Sequence, residues 1–412
     1  MYLPGMKLLH TADWHLGKRL EHISRLEEQR EVLAEICEIA EREAVDAVLI
    51  AGDLFDHVNP SIEALELFYQ TVKRLAGDGR RAVIGIAGNH DSPDRLEAPD
   101  PLARECGILL AGYPASEIKP FALESGLRVM RSAPGFLELK LPACEAPLRL
   151  LLTPYANEMR LRKFLGREDA DAELRLALQE SWAALAAQYC DNQGVNLLMA
   201  HLFVMKKGGE KPEEPEDERS VLSIGGAREI FTENLPAAVQ YVALGHLHRR
   251  QQISETPCPV VYSGSPLAYS MAEAGQEKYV CLLEIAPGKE VQARQIPLSK
   301  GKSLVRKSFD SVEAAVSWLK EHPETLVELT LVSDTYLSAG ERKALYQAHT
   351  GIVALIPKVN VPADAFNPGL SIDLSKEVKD LFVDYFSYKH GQDPNERILD
   401  LLKEVLAEEE EN

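Results

Sequence analysis

The chain has 412 residues, 45% of them hydrophobic and 26% charged, which predicts a globular protein of two or three domains with a sizeable core. Its apolar runs are far shorter than the roughly 20 residues of a membrane helix, and the N-terminus lacks a secretory signal. We therefore expect a cytoplasmic protein with no membrane partner. The 6 cysteines are scattered without a CxxC pair, which favours reduced thiols over disulfides or a zinc site.

Alternating strands and helices dominate the first part of the chain. Hydrophobic periodicity predicts strands at residues 7–10, 46–51 and 81–87, and helices at 25–44 and 61–76. Ser61 is placed to cap the second of these helices. This β-α-β-α-β order predicts a layered α/β core.

Two later strands share an unusual feature, because each ends at a histidine. These strands are predicted at residues 194–201 and 240–246, and a long helix at 170–190 precedes them. Between them, residues 206–226 are rich in Gly, Pro and Glu, and we interpret them as a flexible acidic loop.

The pattern changes near residue 300, where a small α+β module begins. Its predicted strands are 303–309, 325–332 and 352–358, and its predicted helices are 311–321 and 339–349. An Asn/Pro-rich linker follows, and the tail has two helices with apolar faces. We predict a main domain at 1–298, the α+β module at 299–360, the linker at 361–374 and the C-terminal helices at 375–412.

The net charge of −19 argues against tight nucleic-acid binding by this chain alone, because such proteins usually carry a basic surface. Much of the acidity is local, with six carboxylates in residues 210–218 and four more in residues 408–411. Divalent ions in a cleft would also add positive charge where a phosphate binds.

Five polar segments each follow a predicted strand, at the sheet edge where the active sites of α/β proteins assemble. Residues two apart in an extended segment share a face, so a DxH or HxH pair directs two ligands to one side. Two divalent ions with four protein ligands each, sharing one carboxylate, need seven side chains. The segments supply seven: Asp13, His15, Asp53, Asn89, His201, His246 and His248. This set of ligands suits Mn²⁺.

Each segment alone has an ordinary explanation, since a GNHD sequence fits a turn and a lone His201 fits a hydrogen-bonded core histidine. Five segments in one order, each after a strand, favour a site instead. His90 lies outside the seven ligands, and we interpret it as a general acid whose ring is held by Asp91. The alternative for His90 is a hydrogen bond that only supports a ligand. We expect the neighbouring Asp56 and His57 to lie in a solvated loop.

The order DxH, GD, GNH[D/E], H and GHxH resembles that of the calcineurin-like metallophosphoesterases. Residues 11–17, 52–56, 88–92 and 245–248, with the sequence YSGSP at 262–266, resemble in particular the double-strand-break repair nucleases of that superfamily. The resemblance covers nearly the whole chain. It implies an α/β fold in which a β-sandwich is flanked by helices, with a small α+β capping domain and C-terminal helices.

The resemblance also implies a role for each site residue. One metal would be bound by Asp13, His15, Asp53 and His248, and the other by Asp53, Asn89, His201 and His246. The ions would be two Mn²⁺, with Mg²⁺ as the alternative. They would activate a water and stabilise the phosphoryl oxygens, while His90 protonates the departing sugar oxygen.

The partners implied are DNA and a coiled-coil ABC-type ATPase, in a heterotetramer that contains a homodimer of this chain. Such nucleases cut double-stranded ends and hairpins during repair and recombination. The sequence has no GxxxxGK[ST] loop, so ATP dependence would come from the partner. The C-terminal helices fit docking onto that partner, or else packing on this chain's own surface.

Two other functions fit parts of the pattern. A phosphoprotein phosphatase or small-molecule phosphodiesterase of the same superfamily would use the same metals, and a non-catalytic scaffold would keep only the fold. The complete set of seven ligands argues against the scaffold.

Overall fold

The computed structural model describes residues 5–162, 170–212, 229–333 and 337–359, together with 380–383, 385–386, 394, 399 and 402. Within these residues the strands are β1 (Met6–Thr11), β2 (Arg19–Leu20), β3 (Ile23–Ser24), β4 (Ala47–Ile50), β5 (Ala82–Ile86), β6 (Ile108–Ala111), β7 (Arg128–Ala133), β8 (Phe136–Lys140), β9 (Leu148–Thr153), β10 (Val195–His201), β11 (Val204–Met205), β12 (Ile230–Phe231), β13 (Tyr241–Gly245), β14 (Gln251–Ser254), β15 (Val260–Tyr262), β16 (Tyr279–Ile285), β17 (Gln292–Pro297), β18 (Ser303–Phe309), β19 (Thr325–Ser333) and β20 (Ile352–Val359). The α-helices are α1 (Leu26–Arg42), α2 (Ile62–Ala76), α3 (Pro93–Glu97), α4 (Asp100–Glu105), α5 (Glu158–Leu161), α6 (Ala170–Tyr189), α7 (Val312–Glu321) and α8 (Ala339–Ala348). Two 3₁₀-helices span Thr232–Asn234 and Met271–Glu273.

Two mixed sheets form the centre of the fold. The first has six strands in the order β17-β16-β1-β4-β5-β6, and the second has seven in the order β14-β15-β13-β10-β9-β8-β7. Strands β1, β4, β5 and β6 are parallel in the first sheet, as are β9, β10, β13 and β15 in the second. All of these strands therefore direct their carboxyl ends, and the loops that follow, to one edge of their sheet.

Successive side chains of a strand point to opposite faces of its sheet, which explains why the two sheets stack. In β1 the side chain of Leu8 enters a core shared by both sheets, and Leu9 enters a second core beneath α1 and α2. In β10 Leu197 faces the shared core, while Leu198 faces a third core beneath α6. Two sheets with helices on both outer faces bury apolar side chains on both sides of each strand.

Most of the predicted elements are confirmed within one or two residues. Helix α2 begins after Ser61, whose hydroxyl accepts a hydrogen bond from the backbone N–H of Ala64 at 3.2 Å, as the capping pattern predicts. The predicted fold class is confirmed, with helices on both sides of a β-sandwich. None of the helices in the described residues is both long and apolar enough to cross a membrane.

The predicted α+β elements form a three-stranded sheet, β18-β19-β20, covered by α7 and α8. A small apolar cluster joins Leu304, Leu326 and Val353 of this sheet to Leu20 in the β2–β3 hairpin. Residues Met1–Leu331 and Leu337–Pro357 group as one compact unit, and Val332–Tyr336 with Lys358–Asn412 form a second. The division at residues 298 and 299 stays a prediction.

Several predicted segments lie outside the described residues. These are the linker at 361–374, most of the acidic loop at 206–226, and most of the tail helices at 376–389 and 395–408. In the tail, residues 380–383 and 385–386 are helical.

Candidate metal centre

The predicted ligands lie at the carboxyl ends of five strands, three in the first sheet and two in the second. Asp13 and His15 follow β1, Asp53 follows β4, and Asn89 follows β5. His201 ends β10, and His246 and His248 follow β13. Since the two sheets face each other across a shared core, the five loops meet at one edge of the sandwich.

The backbone is strained where these side chains turn inward. Four of the seven have positive φ angles: 55° at Asp13, 44° at His15, 48° at Asp53 and 108° at His246. Few residues other than glycine have a positive φ, and the 108° at His246 lies well outside the left-handed region; such strain concentrates at functional sites.

One group of ligand atoms is formed by Asp13, His15 and His248, whose atoms lie within 4.8 Å of one another. The Nε2 atoms of His15 and His248 face each other at 2.9 Å. Asp13 Oδ1 accepts a hydrogen bond from the backbone N–H of His246 at 2.9 Å, while its Oδ2 is buried with no hydrogen-bond partner among the described residues. A buried carboxylate oxygen without a donor is costly unless a cation binds it.

A second group is formed by Asp53, His201 and His246, also within 4.8 Å of one another. The side-chain oxygen of Asn89 lies 3.0 Å from His201 Nε2 and 3.1 Å from His246 Nδ1. Asn89 therefore lies beside this group, the one to which the family resemblance assigns it.

Asp53 lies between the two groups. Its Oδ2 is 3.5 Å from His15 Nε2 and 3.2 Å from His201 Nε2. Its Oδ1 accepts a hydrogen bond from the backbone N–H of His90 at 2.9 Å. A single carboxylate next to both groups has the position that a bridging ligand needs.

The buried charges of the ligands shift one another's pKa values strongly. Burial raises the pKa of Asp13 to about 7, although the charges of His201 and His248 oppose this. Burial would also raise the pKa of Asp53, but His201 and His15 outweigh it and hold that pKa well below its usual value. Burial opposes a charge on His201, yet Asp53 raises the pKa of this imidazole to about 9.

The imidazoles are oriented by groups behind them. His201 Nδ1 lies 2.8 Å from the carbonyl oxygen of Ala51, which can only accept, so Nδ1 carries a proton and Nε2 is the nitrogen that can bind a metal. His15 Nδ1 lies 3.7 Å from Asp56 Oδ1, and His248 Nδ1 lies 3.9 Å from Glu273 Oε1. This pattern of nitrogen and oxygen donors, with a carbonyl oxygen behind one ring and carboxylates facing two others, fits two divalent ions.

The expected role of Asp91 needs a correction, because its carboxylate does not hold the His90 ring. Asp91 is buried and accepts three backbone hydrogen bonds, from Leu54 at 3.1 Å, Phe55 at 3.0 Å and Gly88 at 2.7 Å. It thus ties two ligand loops together. The ring of His90 is instead held through Nδ1, which lies 2.9 Å from the carbonyl oxygen of Asp56.

The expectation for Asp56 was also wrong, since this residue is buried rather than part of a solvated loop. Its carboxylate accepts a hydrogen bond from Lys18 at 3.2 Å besides facing His15. Its neighbour His57 is exposed, as expected. Asp56 lies three residues after the Asp of the GD motif, and this spacing was a signal in the sequence that its side chain faces the site.

Sequence reasoning missed most of the layer behind the ligands. The buried Glu273 and Lys278 form an ion pair behind His248, and Tyr269 packs its ring 5.6 Å from that of His15. These residues have no local motif, although the YSGSP segment adjoins them. Its Ser265 donates a backbone hydrogen bond to the carbonyl oxygen of His248 at 3.1 Å, and a side chain at Gly264 would collide with that carbonyl.

Fold and site together define a class of protein, the calcineurin-like phosphoesterases, whose family model matches residues 6–132. The chain is 37% identical to the SbcD subunit of the SbcCD nuclease of Bacillus subtilis over 363 residues, which is 85% of each chain. It is 36% identical to the subunit of that name from Rhodobacter capsulatus, over 73% of this chain and 71% of the relative. The one from Escherichia coli K12 is 29% identical, over 82% of this chain and 81% of its own. The chain belongs to the family of SbcD nuclease subunits.

Proposed function

We propose that this chain is the nuclease subunit of a DNA repair complex and hydrolyses phosphodiester bonds in double-stranded ends and hairpins. The observation that carries the proposal is the position of Asp53 between two groups of buried ligand atoms. That arrangement suits a pair of divalent ions, and the relatives with matching length are named nuclease subunits.

The proposed ligands are those implied by the sequence. Asp13, His15, Asp53 and His248 would hold one ion, and Asp53, Asn89, His201 and His246 the other. Four imidazoles among seven ligands favour Mn²⁺ over Mg²⁺, which prefers oxygen. When bound, the ions would activate a water and neutralise charge on the phosphoryl oxygens.

His90 is the proposed proton donor to the leaving sugar oxygen. Its Nδ1 faces the carbonyl oxygen of Asp56, an acceptor only, so Nδ1 keeps its proton. Nε2 is then the nitrogen that gives up and regains a proton. The ring is half-buried, 4.8 Å from that of His15, and so lies beside the ligands while remaining open to a substrate.

Cleavage assays on matched variants test this proposal. Wild-type protein with Mn²⁺ is incubated with radiolabelled duplex, hairpin and single-stranded DNA, and with a phosphoprotein as a control substrate. His90→Asn should lose DNA cleavage while calorimetry still counts two bound ions, and His57→Asn, a nearby exposed histidine, should cleave normally. Loss of an ion in His90→Asn would make His90 structural, and turnover of the phosphoprotein alone would favour a phosphatase.

The proposed partners are DNA and an SbcC-type coiled-coil ATPase, with this chain as a homodimer inside a heterotetramer in the cytoplasm. The support is the name of the relatives, which are SbcD subunits of an SbcCD nuclease. The net charge of −19 also favours a partner that contributes to DNA binding. Deletion of residues 370–412 should abolish the complex and spare cleavage of single-stranded DNA, whereas an intact complex would refute docking by the tail.

A further inference from the structure

A short segment after β9 lies against the loop that carries Asn89 and His90. The backbone N–H of Tyr155 donates to the carbonyl oxygen of Ala87 at 2.9 Å, at the end of β5. Five residues later, Arg160 donates to three carbonyl oxygens of the same loop. Its Nη1 lies 2.7 Å from the carbonyl oxygen of Gly88, and its Nη2 lies 2.8 Å from that of Asp91 and 3.4 Å from that of Asn89.

Arg160 is itself held in place from two sides. It lies in helix α5, and its backbone N–H donates to the side chain of the N-cap residue Asn157 at 2.8 Å. Its guanidinium group lies 5.2 Å from the centre of the Tyr155 ring. The side chain is half-buried, so its position has a desolvation cost that the three carbonyl contacts offset.

The loop that Arg160 contacts is held on its other side by carboxylates. The backbone N–H of Gly88 donates to Asp91 Oδ2, and that of His90 donates to Asp53 Oδ1. Arg160 supplies donors to the carbonyl oxygens of three of the residues 88–91. A planar guanidinium can bond several carbonyl oxygens in fixed directions at once, which a lysine ammonium does not reproduce.

We propose that Arg160 is a positioning residue for the reaction, which rests on the proposed function. It fixes the peptide planes that follow Gly88, Asn89 and Asp91 and thereby sets the directions of two side chains. One is Asn89, whose oxygen lies beside His201 and His246, and the other is the His90 imidazole. The hydrogen bonds that its guanidinium group makes in the described residues go to backbone carbonyl oxygens of the loop, so Arg160 acts through the loop.

A matched control separates this role from general stability. Arg175 in α6 makes the same kind of contact elsewhere, with Nη1 3.2 Å from the carbonyl oxygen of Glu229 and its guanidinium 5.1 Å from the Phe231 ring. Arg160→Met and Arg175→Met therefore both remove a guanidinium that stacks on an aromatic ring and bonds a carbonyl oxygen.

The experiment measures Mn²⁺ binding by calorimetry, kcat and KM on duplex DNA, and the melting temperature of the full chain. In Arg160→Met, the affinity for one of the two ions and kcat should each fall by about 10–100-fold, the usual effect of losing an outer-layer partner, with KM little changed. Added methylguanidinium should restore part of kcat, and Arg175→Met should leave binding and kcat unchanged.

The proposal is overturned if Arg160→Met lowers only the melting temperature, or if Arg175→Met has the same effects on Mn²⁺ and kcat. Should Arg160→Met fail to fold, Arg160→Lys decides by the same readouts, because a lysine ammonium keeps the charge but lacks the planar, fixed donor directions of the guanidinium. Wild-type protein that binds two ions without cutting DNA would refute the proposed function, and calorimetry would still test Arg160.

Discussion

Replacing Lys278 by methionine should destabilise the protein by about 3–5 kcal/mol, because the carboxylate of Glu273 would then be buried without its cation. Only 8% of Lys278 and none of Glu273 is exposed. The ammonium donates to Glu273, to the carbonyl oxygen of His248 at 3.0 Å and to Ser265 Oγ at 3.0 Å. All three of its protons are therefore used inside the protein.

The size of the expected loss in stability follows from the charges that each variant leaves buried. Methionine keeps the apolar stem, so the loss in Lys278→Met is electrostatic and does not open a large cavity. Glu273 would keep the backbone N–H of Tyr269 at 2.8 Å and the His248 imidazole at 3.9 Å, which do not replace the buried cation. In Glu273→Gln with Lys278→Met no charge is left, and stability should return to within roughly 1–2 kcal/mol of wild type. The double variant should thus be more stable than Lys278→Met by roughly 1–4 kcal/mol.

Urea unfolding in EDTA, followed by circular dichroism, measures these differences without a contribution from metal binding. The control is Arg74→Met, which breaks a surface pair in which Arg74 contacts Glu41 at 3.1 and 3.2 Å. That change should cost less than about 1 kcal/mol. The reasoning fails if Lys278→Met unfolds within about 1 kcal/mol of wild type, or if the double variant is as unstable as the single one.

Three further outcomes test the construction of the site. Gly52→Ala should weaken metal binding in calorimetry, because Gly52 has a φ of 93° and a Cβ there would overlap the His201 ring; normal binding would refute this contact. Burial alone would raise the pKa of Glu273, but Lys278 and His248 hold this pKa down at about 2. The ionised Glu273 carboxylate therefore stabilises the fold fully above pH 4.5, and this contribution is lost as the pH falls toward 2. Glu273→Gln should therefore flatten the decline of stability between pH 4.5 and 2 in EDTA, and an unchanged slope would exclude Glu273 as its source. Finally, EDTA should lower the melting temperature while leaving the far-ultraviolet spectrum unchanged, since ions bind a site that the folded chain already forms; loss of the spectrum would contradict this.

Hydrophobic periodicity was enough to predict the strands that carry the ligands and the helices between them. The strands β1, β4 and β5 are short apolar runs, and the helices between them have regular apolar spacing and, in α2, a Ser cap. The short helices α3 and α4 were not predicted, because Pro93 and the prolines that follow it are typical of turns. Proline is also tolerated in the first turn of a helix, and both of these helices have proline there.

Long-range pairing had no local signal. β16 lies antiparallel to β1 although they are far apart in the sequence, and it brings Glu273 and Lys278 behind a ligand from β13. In the sequence, these two residues look like ordinary surface charges between turn residues. Their role depends on which strands become neighbours, and the hydrophobic pattern of one strand does not encode its partner.

Hydrogen bonds between the ligand loops explain how the strained loops are held in place. Asp13 donates its backbone N–H to the carbonyl oxygen of Gly52 at 2.9 Å, and His15 donates to that of Asp53 at 2.9 Å. The N–H groups of His246 and His90 donate to the carboxylates of Asp13 and Asp53. Each ligand loop is thus bonded to another ligand loop, so the positive φ angles are fixed by neighbours from separate strands. Two stacked sheets with large apolar cores supply the stability that this strain requires, and the ligand geometry therefore depends on the folded chain more than on the ions it would bind.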